Sequence, residues 1–210
     1  MSTFFIHDLK NAAASVNLTL KNLPKHFDDP AFRGDALRAV GNTAKRIDDM
    51  IARLSALRER PGASLQDTDL NQIVSDALGS VDPIPRIEVA RELQTVPPLR
   101  VDKEQIQSVI TNLVLNAQEA MGSEGRVLVR TEHREGQVIL SVSDNGCGMT
   151  PSFVNDSLFR PFQSTKKKGL GIGLFQSRTI VQAHGGRVQV ESQPGKGTTF
   201  QVSFPVKGER

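Results

Sequence analysis

The chain has a single cysteine, Cys147, among its 210 residues. That excludes an internal disulfide and fits a reducing compartment. No apolar run comes near the roughly 20 residues that a bilayer-crossing helix needs, and no signal-peptide pattern opens the chain. A soluble cytoplasmic segment without membrane contact is expected. Long basic tracts are missing apart from Lys166-Lys167-Lys168, and the formal net charge is only +3, so nucleic acid is not an expected partner. No Gly-x-x-x-x-Gly-Lys-[Ser/Thr] segment occurs, which leaves P-loop chemistry unsupported. Internal repeats and low-complexity tracts are absent as well. What remains is an ordinary globular composition, 38% hydrophobic and 23% charged, long enough for one large domain or two modest ones.

Two periodicities divide that length. Ile6, Leu9, Ala13, Val16, Leu20, Leu23 and Phe27 recur in steps of three and four, and so do Leu37, Val40, Ala44, Ile47, Ile51 and Leu54. Asp28-Asp29-Pro30 between them stops one helix and can start the next. The pattern predicts an antiparallel helical hairpin over residues 1–60 with a heptad seam. Two helices bury little of such a seam. Pairing of two hairpins into a four-helix bundle, and hence a homodimer, is expected. The alternative is a hairpin folded back on the rest of its own chain. Arg58-Glu59-Arg60-Pro61-Gly62-Ala63-Ser64 reads as the linker to a second domain over residues 65–210.

In that domain a helix is predicted from Leu70 to Leu78 and another from Asp102, its cap, to Met121, with Gln105 placed as in a capping box. A third runs from Leu174 to His184 and stops at Gly185-Gly186. Strands are predicted at Arg86–Leu93, Leu99–Val101, Val127–Thr131, Val138–Ser143, Val188–Glu191 and Thr199–Phe204. Turns fall at Glu135-Gly136 and Pro194-Gly195-Lys196-Gly197. The implied class is α+β, an α/β sandwich with helices on one face of its sheet.

Four short segments carry the chemistry. In His7-Asp8-Leu9-Lys10-Asn11, His7 follows the seam residue Ile6, and Asn11 falls one turn later on the same face. Asp8 is placed to take the proton that imidazole loses when its other nitrogen attacks phosphorus, so His7 is a candidate nucleophile. Taken alone, a plain surface histidine would be the better reading. Asn112-Leu113-Val114-Leu115-Asn116 is helical and sets two neutral amides one turn apart. An amide oxygen beside a triphosphate suits Mg²⁺, where a carboxylate would repel the nucleotide. Alone, these too are two polar residues on an exposed face.

Asp144-Asn145-Gly146-Cys147-Gly148-Met149 ends a strand. Asp144 can accept a hydrogen bond from the exocyclic amine of adenine, and Gly146 and Gly148 would let the backbone approach the ring. The bland reading is a common Asp-Asn-Gly turn. Gly169-Leu170-Gly171-Ile172-Gly173-Leu174 sets glycines at the mouth of a helix, a phosphate cradle aided by the dipole. Leu174 stands where a dinucleotide fingerprint would need its last glycine. Residues from Thr150 to Lys168 look too polar and irregular for a core. They read as a mobile lid anchored by Phe159-Arg160-Pro161-Phe162, with Thr165, Lys166 and Lys168 toward the phosphates.

In this order and spacing the segments resemble the catalytic core of a bacterial sensor histidine kinase. Such a core is a dimerisation and histidine-phosphotransfer hairpin followed by the ATP-binding domain shared with gyrase, Hsp90 and MutL. The resemblance covers nearly the whole chain. It implies an asparagine box at Asn112 and Asn116 and a first glycine box at Asp144, Gly146 and Gly148. It implies further a phenylalanine box at Phe159–Phe162 and a second glycine box at Gly169, Gly171 and Gly173. Gly195-Lys196-Gly197-Thr198 resembles the final box, and Leu170, Leu174 and Thr198 join the ATP-binding set. Asn116 is then the Mg²⁺ ligand, Asp144 the adenine-binding acid, and the fold a mixed sheet packed on three helices. The His-Asp-Leu-Lys-Asn wording is most similar to kinases associated with exosortase (PEP-CTERM) systems. Two positions depart from the pattern. Ala12 replaces a proline common in the family, so the helix kink it would cause is not expected. Glu119 replaces a common lysine, as in the nitrogen-regulatory type, so lysine help to the phosphates must come from elsewhere.

The resemblance implies ATP-dependent autophosphorylation of His7 and transfer of the phosphoryl group to an aspartate of a response-regulator receiver domain. ATP and Mg²⁺ are the expected cofactors. Asn11 is placed to position water should the same protein dephosphorylate its partner. Because the chain begins almost on its first motif, it reads as an excised portion of something longer; the localisation expected is cytoplasmic, with the cytoplasmic part of a membrane-anchored sensor as one form of it. The alternative from another class is a non-catalytic, nucleotide-binding dimeric scaffold. A gyrase- or Hsp90-like ATPase would need a general-base carboxylate near Asn112, and asparagine there argues against water as nucleophile.

Overall fold

The computed structural model describes residues 2–58, 64–163 and 171–206; in the two N-terminal helices it describes side chains for residues 13–45. The chain divides into two compact units, Met1–Arg60 and Pro61–Arg210. Among the described residues no helix is long and apolar enough to cross a membrane.

The first unit is a pair of helices, α1 (Ser2–His26) and α2 (Pro30–Arg58). Asp29 starts α2 by accepting the Ala31 N–H through its carboxylate at 2.8 Å, and Pro30 follows where a missing amide proton costs nothing. The residues buried most deeply between the helices are small, although the His26 ring of α1 also meets the Phe32 ring of α2, their centres 5.4 Å apart. Ala36 and Thr43 are buried, and the Thr43 hydroxyl meets Ser15 of α1 at 3.5 Å while donating to the Ala39 carbonyl at 2.8 Å. The large apolar side chains lie elsewhere. Leu20, Phe27, Leu37 and Val40 of the predicted stripe are exposed, Leu37 by 75%, and Leu18 is exposed with them. The pair of helices does not consume its own seam.

The second unit runs β1 (Gln66–Thr68), α3 (Leu70–Gly79), β2 (Ile87–Leu93), β3 (Leu99–Val101), α4 (Lys103–Met121), β4 (Gly125–Arg134) and β5 (Gln137–Asp144). It continues with α5 (Pro151–Asp156), α6 (Gly173–Ala183), β6 (Arg187–Gln193) and β7 (Gly197–Pro205). A five-stranded mixed sheet has the order β2-β4-β5-β7-β6, with β2 parallel to β4 and the other neighbours antiparallel. Alternate residues turn Val127, Val129, Val138, Leu140, Val142, Phe200, Val202 and Phe204 to one face. They are buried there with Ile73 and Val74 of α3, Ile110, Leu113 and Val114 of α4, and Val181 of α6. Helices therefore cover one face of the sheet, the sandwich that the alternation implies. The β4–β5 turn places Glu135 at φ 54 and Gly136 at φ 70, a two-residue geometry whose twist matches the strands it joins. Gln118 of α4 is also buried, and no group among the described residues bonds its side-chain amide.

Three local expectations need correction. The strand β1 pairs antiparallel with β3 although its residues are polar and mostly exposed, so no alternation marks it. The α4 cap forms, with Asp102 accepting the Gln105 N–H at 3.0 Å, but the capping box is not reciprocal. The Asp102 N–H instead donates to His184 Nε2 at 3.1 Å, and the Gln105 amide turns to the Asp102 carboxylate. Finally, the stretch from Thr150 is not uniformly peripheral. Leu158 is buried in the core, and Phe153, Val154 and Phe159 pack against it. Only Phe153 and Val154 lie on α5, with Leu158 and Phe159 just past its end, so no single period marks them.

Candidate functional site

Asp144 closes β5 opposite Thr198 of β7 and is half-buried. Its Oδ1 accepts two backbone N–H groups, from Gly146 at 2.9 Å and Thr198 at 3.2 Å. No group among the described residues donates to Oδ2, which is left for a ligand. Burial pushes this carboxyl above the ordinary carboxylate value, against the pull of the two amides. The result is a rigid acceptor with one oxygen committed and one open.

The two glycines after it are also required by the packing of the chain itself. A Cβ at Gly146 would stand 2.7 Å from the carbonyl of Ala120 at the end of α4. At Gly148, where φ is +63, a Cβ would collide with the carbonyl oxygen of Gln193. The protein's own backbone thus demands both glycines. The loop is threaded between α4 and the β6–β7 turn. The Cys147 N–H donates to the Ala120 carbonyl at 3.0 Å, and the Gly195 N–H donates to the Cys147 carbonyl at 2.8 Å. The Met149 N–H donates to Ser192 Oγ at 2.8 Å, and the Ser192 and Thr198 hydroxyls are bonded at 2.9 Å. Sequence reading missed Ser192, and nothing in Glu191-Ser192-Gln193 marks it.

About 6 Å and about 12 Å along α4 from Ala120 lie Asn116 and Asn112, at 1.5 Å of rise per residue. Asn112 and Asn116 stand one turn apart and are half-buried. Asn112 Nδ2 donates to Oγ of the buried Ser177 on α6 at 2.9 Å, a partner also missed from sequence. A Cβ at Gly173 would collide with Asn112 Oδ1, so this amide lies against the first turn of α6. The helix begins at Ile172 without a side-chain cap hydrogen bond, so among the described residues no capping side chain offsets the positive end of its dipole. Just before it, the Phe162 N–H donates to the Gly171 carbonyl at 2.9 Å. Arg178 of α6 sets its guanidinium 5.2 Å from the centre of the half-buried Phe159 ring, and Leu174 packs against the core.

The chain thus assembles an acceptor at one end, neutral amides along a helix, and an uncapped helix start at the other. A ligand with an amine at one end and an anion at the other, such as a purine nucleotide, fits that polarity. Among the described residues no group of three or more His, Cys, Asp or Glu could hold a metal ion. A cation here would be held mainly by the ligand's own phosphates together with an amide oxygen, a donor set suited to Mg²⁺. Thr165, Lys166, Lys168, Gly169 and Leu170 lie outside the described residues. His7, Asp8 and Asn11 belong to α1, where His7 and Asn11 are one turn apart, and their side chains lie outside the described set.

The profile of the family described as histidine kinase-, DNA gyrase B-, and HSP90-like ATPase matches residues 101–208. Sensor histidine kinase ZraS of Escherichia coli (strain K12) is 32% identical over 211 residues, which cover 95% of the chain and 44% of that protein. Sporulation kinase C of Bacillus subtilis (strain 168) is 29% identical over 208 residues, covering 97% of the chain and 48% of that protein. The chain thus spans less than half the length of these curated relatives. A solved structure of histidine kinase ThkA in complex with response regulator protein TrrA shares the fold, with a TM-score of 0.69 and 22% identity over 98% of this chain and 60% of that one.

Proposed function

The chain belongs to the histidine kinase-, DNA gyrase B- and HSP90-like ATPase family, and we propose that it is the ATP-dependent protein-histidine kinase core of a two-component system. In this reading residues 1–60 dimerise and carry the phosphorylated histidine, and residues 65–210 bind ATP. Asp144 carries the nucleotide assignment, because an oriented carboxylate with one open oxygen suits the exocyclic amine of adenine. Gly146, Gly148 and Thr198 support that end, and Phe159, Leu174, Gly171 and Gly173 border the rest. Thr165, Lys166, Lys168, Gly169 and Leu170 complete the set by family resemblance. Asn116 would hold Mg²⁺, which when bound neutralises phosphate charge.

The remaining chemistry belongs to α1. A ring nitrogen of His7 attacks the γ-phosphorus, the N–P bond forms, and the P–O bond to ADP breaks. Asp8 receives the proton from the other ring nitrogen. The phosphoramidate then passes its phosphoryl group to an aspartate carboxylate of a response regulator, the kind of partner named in the ThkA complex. Asn11 orients water for the reverse service, dephosphorylation of that partner. Catalysis of this kind rests on positioning and charge stabilisation. Asparagine at Asn112, where a water-activating carboxylate would be needed, supports a protein acceptor over hydrolysis. The exposed Leu18, Leu20, Phe27, Leu37 and Val40 support a homodimer through the hairpins. The relatives are sensor kinases, so the segment is read as the cytoplasmic part of a membrane-anchored sensor.

Incubation with Mg²⁺ and γ-labelled ATP tests the proposal. Acid-labile label is expected on the chain and is lost in His7→Gln, which still binds ATP. Acid-stable label surviving in that variant would move the acceptor to another residue. Nucleotide binding without any label would leave a scaffold in place of an enzyme.

A further inference from the structure

We infer that Ser177 is a positioning residue for the triphosphate end of the site, acting through Asn112. The inference rests on the nucleotide reading above and deepens it. Ser177 is buried on α6, one turn beyond Gly173, and its hydroxyl accepts the Asn112 amide N–H at 2.9 Å. The other end of the same planar amide, Oδ1, abuts Gly173 at the first residue of the helix. One rigid group therefore touches α6 at two successive turns and fixes it against α4. Asn116, the proposed cation-facing residue, stands one turn further along α4. The Asn112–Ser177 contact thus sets how the uncapped start of α6 is aimed relative to Asn116. That aim matters because the dipole acts only within the first turn.

The opposite end of the site is built without α6. Asp144 is held by the amides of Gly146 and Thr198, on a loop and a strand. The helix is also held by contacts independent of the clasp. Arg178 covers Phe159, Val181 is in the core, and His184 Nε2, just past the helix end, accepts the Asp102 N–H at 3.1 Å. Removing the Ser177 hydroxyl therefore loosens the start of α6 without unseating the helix. The effect falls on phosphates and spares the nucleoside.

Calorimetry on the full chain with adenosine and with Mg²⁺-ATP separates the two ends. Ser177→Ala and Asn112→Ala should each weaken Mg²⁺-ATP binding about tenfold, the loss of roughly one hydrogen bond. Adenosine affinity should not change, and the double variant should bind no worse than either single one. Equal losses for both ligands, unchanged Mg²⁺-ATP affinity, or additive losses would each overturn the clasp. A wild-type chain that takes up neither ligand would instead overturn the nucleotide reading on which it rests.

Discussion

The two units handle large apolar residues in opposite ways, though both follow regular periods. In the C-terminal unit Ile110, Leu113 and Phe204 are at most 2% exposed, sealed between helices and sheet. In the hairpin Leu20 and Leu37 are 57% and 75% exposed, while Ala36 and Thr43 are buried between the helices. The C-terminal unit completes its core alone. The hairpin leaves large apolar residues exposed, and in the proposed dimer its stability would depend on association and on protein concentration.

The largest effect that sharpens this contrast comes from Leu113→Ala. It should cost the C-terminal unit about 3 kcal/mol in urea unfolding at any protein concentration. Leu37→Ala should leave that unit untouched and weaken the dimer, read by sedimentation across a dilution series. A concentration-dependent loss in Leu113→Ala would break the comparison. Next in size, Gly148→Ala should destabilise the C-terminal unit by about 2 kcal/mol, since a left-handed backbone and a neighbouring carbonyl both oppose the added carbon. Gln118→Met should act in the other direction. Replacing a buried amide that bonds no described group with an apolar chain of similar length should stabilise by about 1 kcal/mol, read as a raised Tm.

The smallest effect belongs to Asp144. Its carboxyl is raised in the fold, so the native state favours the protonated form, and its contribution to stability falls as pH rises through the carboxylate range. Asp144→Asn removes that dependence. The Tm difference between variant and wild type should be near zero in acid and grow in the variant's favour toward neutral pH. The same variant should lose affinity for ATP. A difference that does not vary with pH would show that burial of this carboxyl carries no penalty.

Features with local causes were legible in the sequence. The cap at Asp102, the strand Leu99–Val101 and the turn at Glu135-Gly136 each follow from a neighbouring pattern. Contacts across long separations were not. Asn112 meets Ser177 across 65 positions, and Met149 meets Ser192 across 43, with no periodicity to announce either pair. The glycines of the Asp144 loop were recognised, but the packing against Ala120 and Gln193 that also requires them is brought about only by the fold. In the hairpin the period identified the apolar stripe. It could not say that Leu20, Phe27, Leu37 and Val40 stay exposed while the small residues Ala36 and Thr43 are buried.

Cys147 is exposed, and hydrogen bonds to Ala120 and from Gly195 pin its backbone within the loop that Asp144 begins. As the chain's lone thiol it offers a ready attachment point for an environment-sensitive fluorophore, with no engineered cysteine required. Labelled there, the native polypeptide would give an optical gauge of occupancy at the proposed pocket.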